Sequence, residues 1–174
     1  MTPQCFRAGV DCFNMAKYLK IPDVERMGLI LVDLAARFPR TMGTERQLSP
    51  AMYAMLQVHD ENLAVEWNVA AGRIDFRTSG NNPSFLELAV APRILGRGDQ
   101  SNQLSPSQNK TELKKLDESS AQSRYLLLVD LEREDRDFEP SYVKWRAKTK
   151  LQNTLRVVTA SRGGSVSTFS LKPT

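Results

Sequence analysis

AVEWNVAAGRIDFRTSGNNPSFLELAV, residues 64–90, decides how this chain reads. Three short segments, Ala64 to Val69, Arg73 to Arg77 and Phe85 to Val90, show partial alternation of apolar and polar residues. AlaAlaGly (70–72) and SerGlyAsnAsnPro (79–83) separate them and supply turn chemistry. The stretch therefore reads as a meander of three antiparallel strands. Glu66, Asp75 and Glu87 occupy the outward positions, so one face of the sheet is expected to be wet.

Upstream of the meander the period is helical. Phe6, Val10, Phe13 and Leu19 approximate a helical stripe across residues 4–19. Pro22 precedes Asp23, a good N-cap, and Met27, Ile30, Leu31, Leu34 and Phe38 follow at helical spacing until Pro39. A third helix is expected from Ser49 as N-cap with Pro50 at its first position, and Met52, Met55 and Leu56 as its apolar face.

Downstream, residues 96–122 form a polar bridge, read as a linker or surface excursion with a short helix over Thr111 to Leu116. Tyr125 to Leu131 is an apolar run suited to a strand inside the sheet, and residues 132–139 form a charged turn. Leu155 to Ala160 and Ser165 to Leu171 flank ArgGlyGlySer, the strongest hairpin signal in the chain. The predicted fold class is α+β. An N-terminal layer of about three helices packs on a predominantly antiparallel sheet that ends in a β-hairpin. Residues 1–95, 96–123 and 124–174 are expected to share one compact domain.

Composition agrees with a buried core. The chain has 174 residues, 41% of them hydrophobic and 25% charged, which excludes wholly disordered, collagen-like and disulfide-stapled classes. Cys5 and Cys12 are seven residues apart, two turns of a helix and about 10 Å of rise, too far for a disulfide. They read as buried or half-buried thiols in reducing, intracellular surroundings. MTPQCFRAGVDCF lacks a basic region followed by an apolar run, and Met27 to Leu34 is too short to span a membrane. A cytoplasmic location is expected, with an organellar or virion-associated one as the alternatives.

Charge is unevenly spread. Residues 1–123 are neutral overall and 124–139 carry −3. Residues 140–174 carry Lys144, Arg146, Lys148, Lys150, Arg156, Arg162 and Lys172 with no acid, which yields the overall +4. If residues 142–150 form a strand, Tyr142, Lys144, Arg146, Lys148 and Lys150 share a face, with neighbouring cations about 7 Å apart. That row suits a phosphate backbone with a base stacked on Tyr142. A helix competes, since Val143, Ala147, Leu151 and Leu155 recur every four residues, and it would disperse the cations.

The leading expectation is non-catalytic binding of RNA or single-stranded DNA by Tyr142, Lys144, Arg146, Lys148 and Lys150, supported by Arg156 and Arg162. The alternative is an adaptor or assembly protein, a subunit of a larger particle such as a viral one. It would act through a protein partner or as a homo-oligomer, with Met52 and Met55 as a contact surface. No cofactor, metal or membrane partner is expected. His59, followed by Asp60 and Glu61, is the only histidine, so the usual zinc sites are out of reach, and a Ser-His-Asp triad would have to use it although no GxSxG elbow is present.

A metal-dependent nuclease is the least remote enzyme class. It needs clustered carboxylates, often with a lysine, on neighbouring strands. Asp75 and Glu87 fall on adjacent strands, but Ala89 stands where an acid-x-lysine pattern wants lysine. Glu112 and Lys114 have that spacing within the polar bridge. Solvent-facing acids on a wet sheet are the simpler reading.

Overall fold

A computed structural model describes residues 19–92 and 101–173. The expected helix over residues 4–19 falls almost entirely outside them, as do both cysteines. The elements run α1 (Ile21–Arg37), α2 (Glu45–His59), β1 (Ala64–Val69), β2 (Gly72–Arg77), β3 (Ser84–Ala91), a 3-10 turn at Ser101–Leu104, α3 (Lys110–Asp117), β4 (Ser123–Asp130), α4 (Glu139–Arg146), β5 (Leu155–Ser161) and β6 (Val166–Leu171). This is an α+β fold around one mixed six-stranded sheet of order β1-β2-β3-β4-β5-β6. The ladders are antiparallel except β3–β4 and β4–β5, which are parallel. The meander over 64–90 and the C-terminal hairpin around Gly163 and Gly164 form as expected.

β1 at the edge of the sheet is largely exposed, while the centre of the sheet is covered on both faces. On one, α1 and α2 bury Val24, Leu31, Leu48, Met52 and Leu56 against Leu86, Leu88, Tyr125, Leu127 and Val158. On the other, α3, α4 and the 3-10 turn bury Leu104, Leu113, Leu116 and Tyr142 against Phe85, Leu126, Leu128, Val157 and Phe169. β3 and β4 are buried along their whole length. The expectation of a wet face is thus corrected at Glu87, which is 1% exposed. The cause is the polar bridge, whose Leu113 and Leu116 fold α3 over that face. Residues 110–117 are therefore a covering helix and not a linker.

Helix starts differ from the local signals. Lys20 is the N-cap of α1, and Asp23, three residues inside, accepts from the Lys20 amide at 2.9 Å. α2 begins at Glu45 after Thr44, so Pro50 lies within the helix and removes one backbone donor. Met52 is fully buried and so is removed as a contact surface, whereas Met55 is half-buried against the same core. Among the described residues no helix is long and apolar enough to cross a membrane.

Gly28 sets how closely α1 approaches the sheet. A Cβ there would lie 2.8 Å from Ala160 Cβ and 3.1 Å from Leu127 Cδ1. Ala160 is a strand methyl without rotameric freedom, so the helix itself has to back away. Gly28→Ala is expected to destabilise the protein by about 1–3 kcal/mol despite the better helix propensity of alanine. Urea unfolding reads this directly, and an unchanged or higher midpoint would contradict the close packing.

Candidate functional site

The C-terminal segment does not form the expected cationic strand. Residues 139–146 are helical, started by Pro140 in the first turn, with the Glu139 amide on Asp137 Oδ1 at 3.0 Å. Tyr142 is 0% exposed, donates to Leu104 O at 2.9 Å and meets the Phe169 ring at 5.7 Å. Burial pushes its hydroxyl upward from the usual phenol value. It is a core residue, and base stacking on it is excluded by geometry.

The remaining cations disperse. The Arg146 guanidinium donates to Lys172 O, and Arg156 lies over the Tyr125 ring at 5.7 Å. Lys144, Lys148 and Lys150 are exposed near the end of α4. Arg162 is beyond the far end of β5, about 20 Å from its start at the usual strand rise. The structure thus brings no cluster out of the seven predicted residues, and Lys144, Lys148 and Lys150 are the ones left exposed close together in sequence.

A different group converges. β2 and β3 pair only at Phe76↔Leu86 and Arg77↔Phe85 and then part. In the fork Asp75 replaces the missing ladder, accepting from the Leu88 amide through Oδ2 at 2.9 Å. β2 also turns over here. Ile74 is buried in the cluster beneath α3, whereas Phe76, two residues on, is buried beneath α1 and α2. The residue opposite Asp75, Glu66, has a φ of 49°, and this is the one position left unpaired in a β1–β2 register that continues unchanged on either side.

Glu87 enters the same fork from β3, on the face covered by α3. Its Oε1 stands 2.7 Å from Lys115 Nζ, and Lys115 also donates to Arg73 O at 2.7 Å. Apart from this ion pair, Oε1 receives no aligned hydrogen bond. Burial, and then the neighbouring Asp75 carboxylate, push Glu87 up to about 9, against the lowering effect of Lys115. Glu45, the first residue of α2, reaches the cleft from the other side of the sheet. Desolvation first, then Asp75 and Glu112, raise it, while the Val90 amide and Lys115 lower it. Gln108, Asn109 and Glu112 complete a largely polar cleft of about 150 Å3.

The lysine missing from position 89 is thus supplied by α3. Ala89 lines the cleft, and Lys115 places its ammonium on Glu87. Helical periodicity carried this signal: in α3, Glu112 and Lys115 are three apart and share a face, whereas Lys114 turns outward to Glu118. Gly72, at a φ of 139°, leaves room beside the lysine stem, since a Cβ there would come within 3.3 Å of Lys115 Cδ. His59 ends α2, and the buried carboxylate after it, Asp60, is structural, accepting from Asn62 and Ser79.

Among the described residues, no three His, Cys, Asp or Glu side chains are gathered closely enough to enclose a metal ion by themselves. Asp75 and Glu87 nevertheless fit a magnesium-type ion, which keeps several waters and is bound through one or two carboxylates plus substrate phosphate. Glu87 Oε1 already has the Lys115 ammonium at 2.7 Å, so an ion held there would share that carboxyl with the lysine. No family model matches the chain, and no curated protein or solved structure shows significant similarity to it.

Proposed function

We propose that the chain hydrolyses phosphodiester bonds of a nucleic acid, with a divalent cation, in the cleft between β2 and β3. The observation that carries this reading is the convergence of Asp75 and Glu87 with the Lys115 ammonium in an open polar cleft. A bound divalent cation would supply charge neutralisation at the phosphate and acidify a water molecule. Asp75 and Glu87 would hold it, and Glu45 would orient one of its waters.

Lys115 has two tasks in this reading. Its ammonium sits on the Glu87 carboxyl beside the Asp75 carboxylate before substrate arrives, and it then faces the negative charge that grows on the phosphoryl oxygens. The attacking water forms the new O–P bond, the P–O bond to the leaving sugar oxygen breaks, and the proton shed by the water ends on that oxygen through solvent. Lys144, Lys148 and Lys150 lie on the same sheet face as α3, three strands or more from the fork, about 14 Å at the usual strand spacing. They suit backbone contacts to a strand longer than the cleft.

The test is cleavage of labelled single- and double-stranded DNA and RNA with Mg2+ or Mn2+, against EDTA. Cleavage is expected only with the cation, and Asp75→Asn is expected to reduce it by about 100-fold or more. Absence of cleavage on every substrate, or equal cleavage by Asp75→Asn, rejects the reading. Non-catalytic binding of RNA or single-stranded DNA through the exposed lysines is the second reading, favoured by the absence of acids from residues 140–174. It predicts salt-sensitive binding without any strand scission.

A further inference from the structure

The β1–β2 hairpin beside the cleft carries an exposed tryptophan. Trp67 is 43% exposed, among the most open of the large apolar residues in the described part of the chain. It pairs across the ladder with Ile74, the residue next to Asp75. Ile74 is buried on the face covered by α3, so the indole and the α3 lining of the cleft lie on one side of the sheet. The Arg77 guanidinium sits 4.4 Å from the centroid of the indole ring and covers one face of it. Its other neighbour is the Phe85 ring at 5.9 Å.

We propose that Trp67, backed by Arg77, is a stacking platform for an unpaired base of a nucleic-acid strand whose phosphate enters the Asp75–Glu87 cleft. The inference rests on the phosphodiesterase reading and deepens it, because it assigns a single-stranded or frayed substrate. Three features favour a base as the occupant. An aromatic ring half open to solvent beside a polar cleft offers a flat π-face, which every base can use without sequence readout. The cation behind the ring adds attraction for an electron-rich base and for the adjacent phosphate. A protein strand added to the β1 edge is disfavoured, because Glu66 at a φ of 49° interrupts the backbone donors and acceptors such pairing needs.

The experiment uses the full chain carrying Asp75→Asn to prevent cleavage and Trp145→Phe so that Trp67 is the sole fluorophore of its kind. A fluorescein-labelled oligothymidylate is titrated in EDTA, with anisotropy reporting affinity and, for the unlabelled oligonucleotide, indole emission reporting stacking. Binding with quenched Trp67 emission is expected. Trp67→Ala is expected to weaken affinity by about 5- to 150-fold, the range for one stacked base, and Trp67→Phe to retain most of it.

Unchanged affinity in Trp67→Ala, or binding without a change in indole emission, overturns the platform. So does failure of the parent to bind single strands at all. If cation-dependent cleavage of duplex persists in the chain with an intact Asp75 in that case, the catalytic reading stands without the platform. Stacking by a chain that cleaves nothing separates the two the other way. Circular dichroism of Trp67→Ala confirms that the fold survives loss of an exposed side chain.

Discussion

Lys115→Met is expected to slow cation-dependent cleavage by about 10²–10³-fold while leaving the affinity for the oligonucleotide within a few-fold of the parent chain. The magnitude is that of removing one charged or hydrogen-bonding group aimed at developing charge. Methionine keeps the stem that packs beside Gly72, so the loss falls on the ammonium and its contacts with Glu87 and Arg73 O. Single-turnover cleavage at saturating protein isolates the chemical step from binding. A rate equal to that of the parent, in a folded variant, would show that Lys115 is only the structural counter-ion of Glu87. Lys114→Met supplies the control, since that side chain pairs with Glu118 at 3.7 Å on the solvent side of α3.

The second large effect is on stability and depends on pH. Glu87 is pushed up to about 9 in the folded protein by burial and by Asp75, from an ordinary carboxyl value of 4.5. The native state therefore holds this proton more tightly than the unfolded chain does. The sign follows: the favourable contribution is fully present below about pH 4.5 and is lost as pH rises through 9. Within that window the stability of the parent, measured without divalent cations, is expected to fall relative to Glu87→Gln by up to about 1.4 kcal/mol per pH unit. Urea unfolding of both proteins at a series of pH values reads the difference, which cancels the other titrating groups. A stability difference independent of pH would mean that Lys115 holds Glu87 ionised in the folded state.

Much of the fold was legible because its signals are local. The alternation in residues 64–90, the turn residues at 79–83 and the apolar run from Tyr125 each specify a strand through which side chains face a core. Glycines in ArgGlyGlySer permit the tight turn of the last hairpin, with Gly164 at a φ of 77°. Residues 142–150 defeated the same logic. Val143, Trp145 and Ala147 alternate with cations as in a half-exposed strand, but the segment pays for its ordering through Tyr142, which has a hydroxyl to satisfy and finds Leu104 O. A helix launched at Pro140 delivers that contact, whereas alternation alone is blind to an acceptor 38 residues away.

The wet-face expectation failed for a related reason. Glu87 reads as an outward acid because its neighbours Leu86 and Leu88 face the α1 side. Whether the other face meets water depends on where α3 lands, and the polar composition of residues 96–122 hides the Leu113 and Leu116 pair that lands it.

By itself the sequence determined the α+β class, the three-stranded meander, the buried strand from Tyr125 and the C-terminal hairpin, because periodicity and turn chemistry act over a few residues. Only the tertiary structure decided that the central strands are covered on both faces and that Tyr142 belongs to the core. It alone brought Glu45, Asp75, Glu87 and Lys115 to one cleft. These four lie on four different elements and up to 70 positions apart. Their meeting depends on the fork between β2 and β3 and on the docking of α3, which are set by long-range packing of apolar side chains and not by any local pattern.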